Sequence, residues 1–199
     1  MLKIAITGNM GSGKSTICKV FEILGVPVFY ADYHAKIFLN KKTCKQQIRE
    51  KFGKEVFDKK DQIDKKSLAK LIFHDKKKLQ QLNAIIHPLV FNKFEHWVNQ
   101  HKEKPYCIQE AALIFETGNY KRFDQVILVY APEETLIQRI TIRDQISNHD
   151  AQARLANQMD QEEKRKMADY VIYNDNTKLL IPQLLELHQY FLSQSKNMS

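Results

Sequence analysis

Residues 8–15 read Gly8-Asn9-Met10-Gly11-Ser12-Gly13-Lys14-Ser15, the pattern G-x-x-x-x-G-K-[ST]. Glycines at these positions let backbone N–H groups close around phosphate oxygens, and a helix that follows aims its positive N-terminus at the same anion. Lys14 is then placed to reach β- and γ-phosphates, and the Ser15 hydroxyl to ligate Mg²⁺. The predicted nucleotide cradle is Gly11, Ser12, Gly13, Lys14, Ser15 and Thr16. Guanine-specific loops of this kind carry N-K-x-D after a strand. The nearest match, Asn92-Lys93-Phe94-Glu95, lacks the Asp and lies in a helical pattern. ATP is therefore the expected triphosphate.

Two further groups suit phosphoryl transfer. Tyr30-Ala31-Asp32 ends an apolar run, at the edge where open α/β sheets place ligands. A carboxylate there can accept the proton of an attacking hydroxyl. It can equally cap a helix over 33–39, and the two roles are compatible. Arg139-Ile140-Thr141-Ile142-Arg143-Asp144 closes a predicted helix, with Arg154 and Lys164-Arg165-Lys166 beyond it. Such a stretch can form a lid whose guanidiniums clamp a transferring phosphate. Arg165 and Lys166 read rather as solvated surface charge.

These groups need a scaffold. Leu2–Thr7, Tyr106–Gln109 and Gln125–Tyr130 are short apolar runs that predict buried strands, with Val26–Tyr30 and Tyr170–Tyr173 as weaker members of the set. Between them fall helical patterns. Lys14–Leu24 places Ile17, Val20, Phe21 and Leu24 on one face and stops at Gly25. Asp64 is placed to cap 65–73, and Asp75 to cap a helix running to His87-Pro88. A separate helix is expected from Pro88 to about His101, burying Leu89, Phe94, Trp97 and Val98. Pro132-Glu133-Glu134 opens another. The last is expected over Leu179–Leu192, delayed or kinked by Pro182, with a frayed tail from Ser193 to Ser199.

Strands alternating with helices predict an α/β fold: a parallel sheet flanked by helices on both faces. The interval 32–104 offers helices and no convincing strand, so it is expected to be an inserted helical subdomain. The core is expected from 1–31, 105–138 and 168–199, and the lid from 139–167.

Composition narrows the classes. At 199 residues, 43% hydrophobic and 27% charged, the chain matches a globular protein and not a disordered one. No apolar stretch is long enough for a membrane span. Met1–Ile6 leads straight into the Gly-rich loop and reads as a first strand, not a signal peptide. Cys18, Cys44 and Cys107 are odd in number and lack C-x-x-C spacing, which argues against a disulfide framework or zinc site and for the cytoplasm. The net charge is +8, and residues 36–78 hold 15 Lys/Arg against 6 Asp/Glu. That excess suits a polyanion (nucleic acid, acidic headgroups or a phosphorylated small molecule), or is a solvated face. No helix-turn-helix or aromatic RNA-binding signature supports nucleic acid.

The ordered landmarks resemble the dephospho-coenzyme A kinase family from Ile4 to about Asp175. They are Ala5-Ile6-Thr7-Gly8 through Gly11-Ser12-Gly13-Lys14-Ser15-Thr16, Leu24-Gly25-Val26-Pro27-Val28 leading to Ala31-Asp32, His87-Pro88-Leu89, Leu113-Ile114-Phe115-Glu116, Arg143-Asp144, and Ala168-Asp169-Tyr170-Val171-Ile172 with Asn174. The resemblance implies phosphorylation of the ribose 3′-hydroxyl of dephospho-coenzyme A by ATP and Mg²⁺, the last step of coenzyme A synthesis. It also implies a nucleotide core, a helical substrate domain and a lid. The expected partner is the small-molecule substrate, with no nucleic acid or membrane, and the oligomeric state is left open with a monomer favoured. Carried over, Asp32 is the general base, Lys14 and Arg143 stabilise γ-phosphate charge, and the backbone near Asn174 lies beside adenine. Leu113, Phe115 and His87 border the substrate groove, although His87 before Pro88 reads equally as a packing residue. The chain departs from the family pattern at Tyr30, where a second acid is common, and at Ala112, where Pro is common. Glu110 is offered as a water-mediated Mg²⁺ partner, or else as the partner of a neighbouring Arg or Lys.

Overall fold

The computed structural model describes residues 1–73 and 75–196. Its strands are β1 (Leu2–Thr7), β2 (Val28–Tyr30), β3 (Tyr106–Glu110), β4 (Gln125–Tyr130) and β5 (Tyr170–Tyr173). Its helices are α1 (Lys14–Ile23), α2 (Ala31–Leu39), α3 (Lys42–Phe52), α4 (Lys65–Phe73), α5 (Lys76–Asn99), α6 (Glu133–Asp144), α7 (Asn148–Leu155), α8 (Gln161–Met167) and α9 (Leu180–Lys196). The sheet order is β2-β3-β1-β4-β5, with every pairing parallel. The expected α/β class is the observed one.

Two units divide the chain. Met1–Tyr30 and His101–Ser199 form the first, and Ala31–Gln100 the second. In the first, the alternation of side chains along β1 feeds two cores. Ile4 and Ile6 pack with Ile17 and Phe21 of α1, Ile108, Val129, Ile172, and Leu184 and Phe191 of α9. Ala5, pointing the other way, joins Ile114, Phe115 and Val126. A third cluster is built by Leu136 and Ile140 of α6 with Ala151 and Leu155 of α7, and Met10 of the Gly-rich loop packs against it.

The second unit is helical. Helix α5 packs against α2, α3 and α4. Phe38, Ile48, Phe52, Leu68, Ile86 and Phe94 are among its buried residues. Asp64 caps α4 by accepting from Lys66 N and Ser67 Oγ, and Asp75 caps α5 through Lys77 N and Lys78 N.

Several expected boundaries move, each for a local reason. Helix α1 ends in paired bonds, Val26 N to Phe21 O and Gly25 N to Glu22 O, with Gly25 at φ +81°. This cap uses the N–H of Val26, and Pro27 has none, so β2 starts at Val28 and not at Val26. Asp32 does not close a strand: α2 starts at Ala31, directly after Tyr30, so Asp32 lies in its first turn. Pro88 does not separate two helices. Helix α5 runs through it, with Pro88 and Ala84 on an exposed face where solvent can satisfy the Ala84 carbonyl that Pro88 deprives of a donor. Trp97 is only half-buried, stacked on Phe94 at 6.1 Å. Pro182 falls in the first turn of α9, where its missing N–H would be unsatisfied within the helix anyway, so it neither delays nor breaks the helix. The helix continues to Lys196, through residues expected to fray, and the remainder of that tail, 197–199, lies outside the described residues.

Candidate active site

All five strands run the same way, so their carboxyl ends share one edge of the sheet. The register sets Ile6 beside Glu110, Thr7 beside Leu128, and Tyr130 beside Tyr173. The Gly-rich loop after Thr7, the segment after Glu110, Ala131 and Asn174 therefore emerge together. In a doubly wound sheet this edge is the ligand-binding one.

The loop between β1 and α1 is held by backbone conformations that suit glycine. Gly13, which caps α1, has φ +94°, and a Cβ there would overlap the side-chain amide of Asn174. That amide donates to Ser12 O at 2.7 Å, so the end of β5 clamps the loop directly. A Cβ at Gly8 would lie 2.5 Å from Val129 O. Lys14 is buried, and its Nζ donates to Gly8 O at 2.8 Å and Asn9 O at 3.2 Å, a conformation folded over its own loop. Ser12 is fully buried and its Oγ has no hydrogen-bond partner among the described residues. Ser15 and Thr16 stand exposed in the first turn of α1.

Helix α6 lies on this loop: a Cβ on Gly11 would come within 3.0 Å of Leu136 O and 3.2 Å of Ile140 Cγ1. Arg139 of α6 donates to Asn174 O at 3.0 Å and Gly11 O at 3.4 Å, joining the loop to the end of β5. Arg143, one turn further, is exposed and bonded to Asp144, which also pairs with Arg154 at 2.7 Å. The Arg143 hydrogen bond holds the Asp144 carboxyl below the usual carboxylate range, and the same bond raises Arg143.

At the end of β3, Glu110 is 7% exposed. Burial first, and the Glu110 charge second, push the Cys18 thiol far above its ordinary value, which disfavours the thiolate. Leu113 is half-buried and its carbonyl accepts from Thr117 Oγ1 at 2.7 Å. Phe115 is buried against Tyr120 in the core beneath the sheet. Beside it, Glu116 pairs with Lys164 of α8 at 2.7 Å.

Of the residues singled out from sequence, the first unit brings together Gly11 to Thr16, Lys14 and Asn174. Arg143, Glu110, Leu113 and Phe115 belong to the same unit. Asp32 and His87 belong to the second, Asp32 exposed in the first turn of α2 and His87 half-buried in the middle of α5. Sequence reasoning treats Arg139 and Lys164 only as members of the lid stretch, Arg139 as a phosphate clamp, and assigns no individual task to Asn9 or Glu116; Arg139 instead donates to the Asn174 and Gly11 carbonyls. A buried lysine carries no local signal that sets it apart from Arg165 and Lys166 beside it.

Comparison with known proteins adds an independent finding. The family model CoaE, dephospho-CoA kinase, matches residues 2–179. The chain is 37% identical over 191 residues to a dephospho-CoA kinase of Bacteroides fragilis, covering 94% of this chain and 91% of that protein. Among solved structures it is similar to TT1252 from Thermus thermophilus, with a TM-score of 0.83 at 31% identity and 97% of each chain covered. It is also similar to dephospho-CoA kinase from Campylobacter jejuni, with a TM-score of 0.68 at 29% identity over 99% of this chain and 98% of that one.

Proposed function

The chain belongs to the dephospho-CoA kinase family, enzymes that phosphorylate dephospho-coenzyme A with ATP in coenzyme A synthesis, and from that premise we propose how its residues divide the work. The acceptor is the ribose 3′-hydroxyl. The observation that carries the reading is the loop between β1 and α1. It has a left-handed glycine at its helix cap, a buried Ser12 Oγ without a partner, and the Lys14 amine folded onto loop carbonyls, where an incoming phosphate can draw it away.

These residues fit a nucleoside triphosphate. The N-terminus of α1 and the Lys14 ammonium face phosphate charge with donors that need no reorganisation of the backbone. The backbone at Asn174 borders the base. Magnesium, when bound, neutralises charge shared between the terminal phosphates. Mg²⁺ keeps most of its water, so one hydroxyl at Ser15 and one carboxylate at Glu110 acting through water are a sufficient protein share.

Asp32 orients the ribose hydroxyl and takes its proton as the oxygen bonds to the γ-phosphorus and the bond to the ADP oxygen breaks. Arg143 exchanges Asp144 for the phosphoryl oxygens, and its planar fork can hold two of them. Residues 139–167 act as the lid. The helical unit, with its excess of Lys and Arg over 36–78, receives the acidic coenzyme, with His87 of α5 as a contact residue; half-buried Leu113 after β3 is a further substrate contact, whereas Phe115, sealed in the apolar cluster with Ala5, Ile114 and Val126, supports that segment from beneath. Among the described residues no helix is long and apolar enough to cross a membrane. A polar metabolite as substrate supports a cytoplasmic setting, and a monomer is the favoured working unit.

The test is product analysis by mass spectrometry after incubation with ATP, Mg²⁺ and dephospho-coenzyme A, with nucleoside monophosphates in parallel. One added phosphate on the coenzyme, mapped to the 3′-position, is the expected result. Phosphate at another position, or on monophosphates alone, overturns the reading.

A further inference from the structure

Lys164 has no exposed surface, although it sits between Glu163 and Arg165, both exposed. A lysine taken wholly out of water needs a partner, and Glu116 supplies it through Oε1 at 2.7 Å. The same oxygen accepts the backbone N–H of Met159 at 3.1 Å, while Oε2 is buried with no partner among the described residues. The Met159 carbonyl in turn accepts Asn9 Nδ2 at 3.2 Å, and Gln158 Oε1 accepts Met10 N at 2.8 Å. Met159 is thus held on one side by the segment after β3 and on the other by the phosphate loop. Lys164 Nζ also lies 3.5 Å from Ala112 O, which accepts Thr7 Oγ1 at 3.2 Å, one residue before that loop.

Buried ion pairs are poor stabilisers, because desolvation offsets much of their attraction. Packing the underside of the sheet does not require one: the neighbouring cluster of Ala5, Ile114, Phe115 and Val126 is apolar. What the pair does add is direction. It fixes one short stretch, 158–164, at one position against two others that border the nucleotide.

We propose that Glu116 and Lys164 are positioning residues for phosphoryl transfer, locking the returning end of the 139–167 stretch to the phosphate loop and to the segment after β3. With that end fixed, the stretch is held at its return as well as by α6 on the phosphate loop, and Arg143 is presented from one set position. This rests on the reading of residues 139–167 as a lid with Arg143 acting on phosphate.

The test uses the whole enzyme and the double variant E116L/K164M, which removes both charges and leaves no lone buried ion. A melting curve checks that it folds. The expected result is a kcat lowered about ten- to a hundredfold, as misplacement of a catalytic group by an ångström produces, with KM for ATP and for dephospho-coenzyme A within about threefold of the parent. Should the double variant not fold, E116Q/K164M, which keeps the shape and an acceptor for Met159 N and likewise leaves no lone buried charge, is measured in its place with the same split expected. An unchanged kcat in the folded variant, or a loss confined to KM, overturns the proposal. Arg143→Ala is measured alone and in the variant background. If the pair acts through the lid, the combined loss is smaller than the product of the separate losses, and a fully multiplicative loss overturns the proposal. If Arg143→Ala alone leaves kcat unchanged, the lid reading itself fails, which is a separate result from failure of the pair.

Discussion

Arg143 closes its guanidinium on the neighbouring Asp144, Nε donating to Oδ1 at 2.7 Å and Nη2 to Oδ2 at 3.0 Å. The geometry is the two-pronged one that the planar guanidinium would offer a phosphate, with the Asp144 carboxylate occupying that position. Arg143→Lys retains charge and loses the second prong. The expected outcome is a kcat about tenfold lower or worse, with the ATP dissociation constant nearly unchanged. Steady-state kinetics with a binding titration check it. Loss of ATP affinity at constant kcat would assign Arg143 to ground-state binding.

Asp32 lies in the first turn of α2, where a carboxylate interacts favourably with the helix dipole. Asp32→Asn keeps the shape and removes the charge, so the stability cost is about 0.3–1 kcal/mol. Phosphoryl transfer is expected to fall by about two to four orders of magnitude, the range for losing a general base. A melting curve and a single-turnover rate separate the roles. Large destabilisation with a modest rate loss would leave Asp32 as a helix-end residue only.

Lys14→Met retains the buried stem and removes the amine that donates to Gly8 O and Asn9 O. Losing these bonds loosens the loop, at about 1 kcal/mol. The rate should fall about a hundredfold or more, because charge stabilisation is largest in a partly dehydrated site. Near-parental turnover in a coupled assay would show that this loop does not serve the transferred phosphate.

His188 Nδ1 shares a 2.6 Å hydrogen bond with Tyr106 OH, and burial holds the imidazole below its ordinary pKa. His34 is lowered too, first by burial and then by Lys93. A depressed histidine stays neutral in the folded chain while the unfolded chain takes up a proton. Its contribution is therefore present above the unfolded value, about 6.5, and is lost as pH falls through the folded one. Denaturation series from pH 8 to pH 5 should show a decline in stability that flattens in His188→Gln. Equal slopes in parent and variant would remove His188 from the account.

Local residue pattern was enough for the strands, the end of α1 and the Gly-rich loop, but it left α3, α7 and α8 undelimited. Apolar runs bounded by turn residues predicted all five strands, because a strand buried on both faces has few other compositions. The G-x-x-x-x-G-K-S spacing predicted the loop because left-handed backbone at Gly13 excludes most alternatives. Gly25 marked the end of α1 for the same reason. Tertiary structure decided what depends on partners distant in the chain. Pro88 and Pro182 read as breaks, yet each is accommodated where solvent or the helix terminus absorbs the missing donor. Arg139 reads as one more lid arginine until β5 brings the Asn174 carbonyl to it. Lys164 looks as solvated as Arg165 until the segment after β3 sets Glu116 against it. Local sequence encodes backbone preference and amphipathic period, whereas the worth of a charge depends on how much water the rest of the fold removes from it, and from which partner.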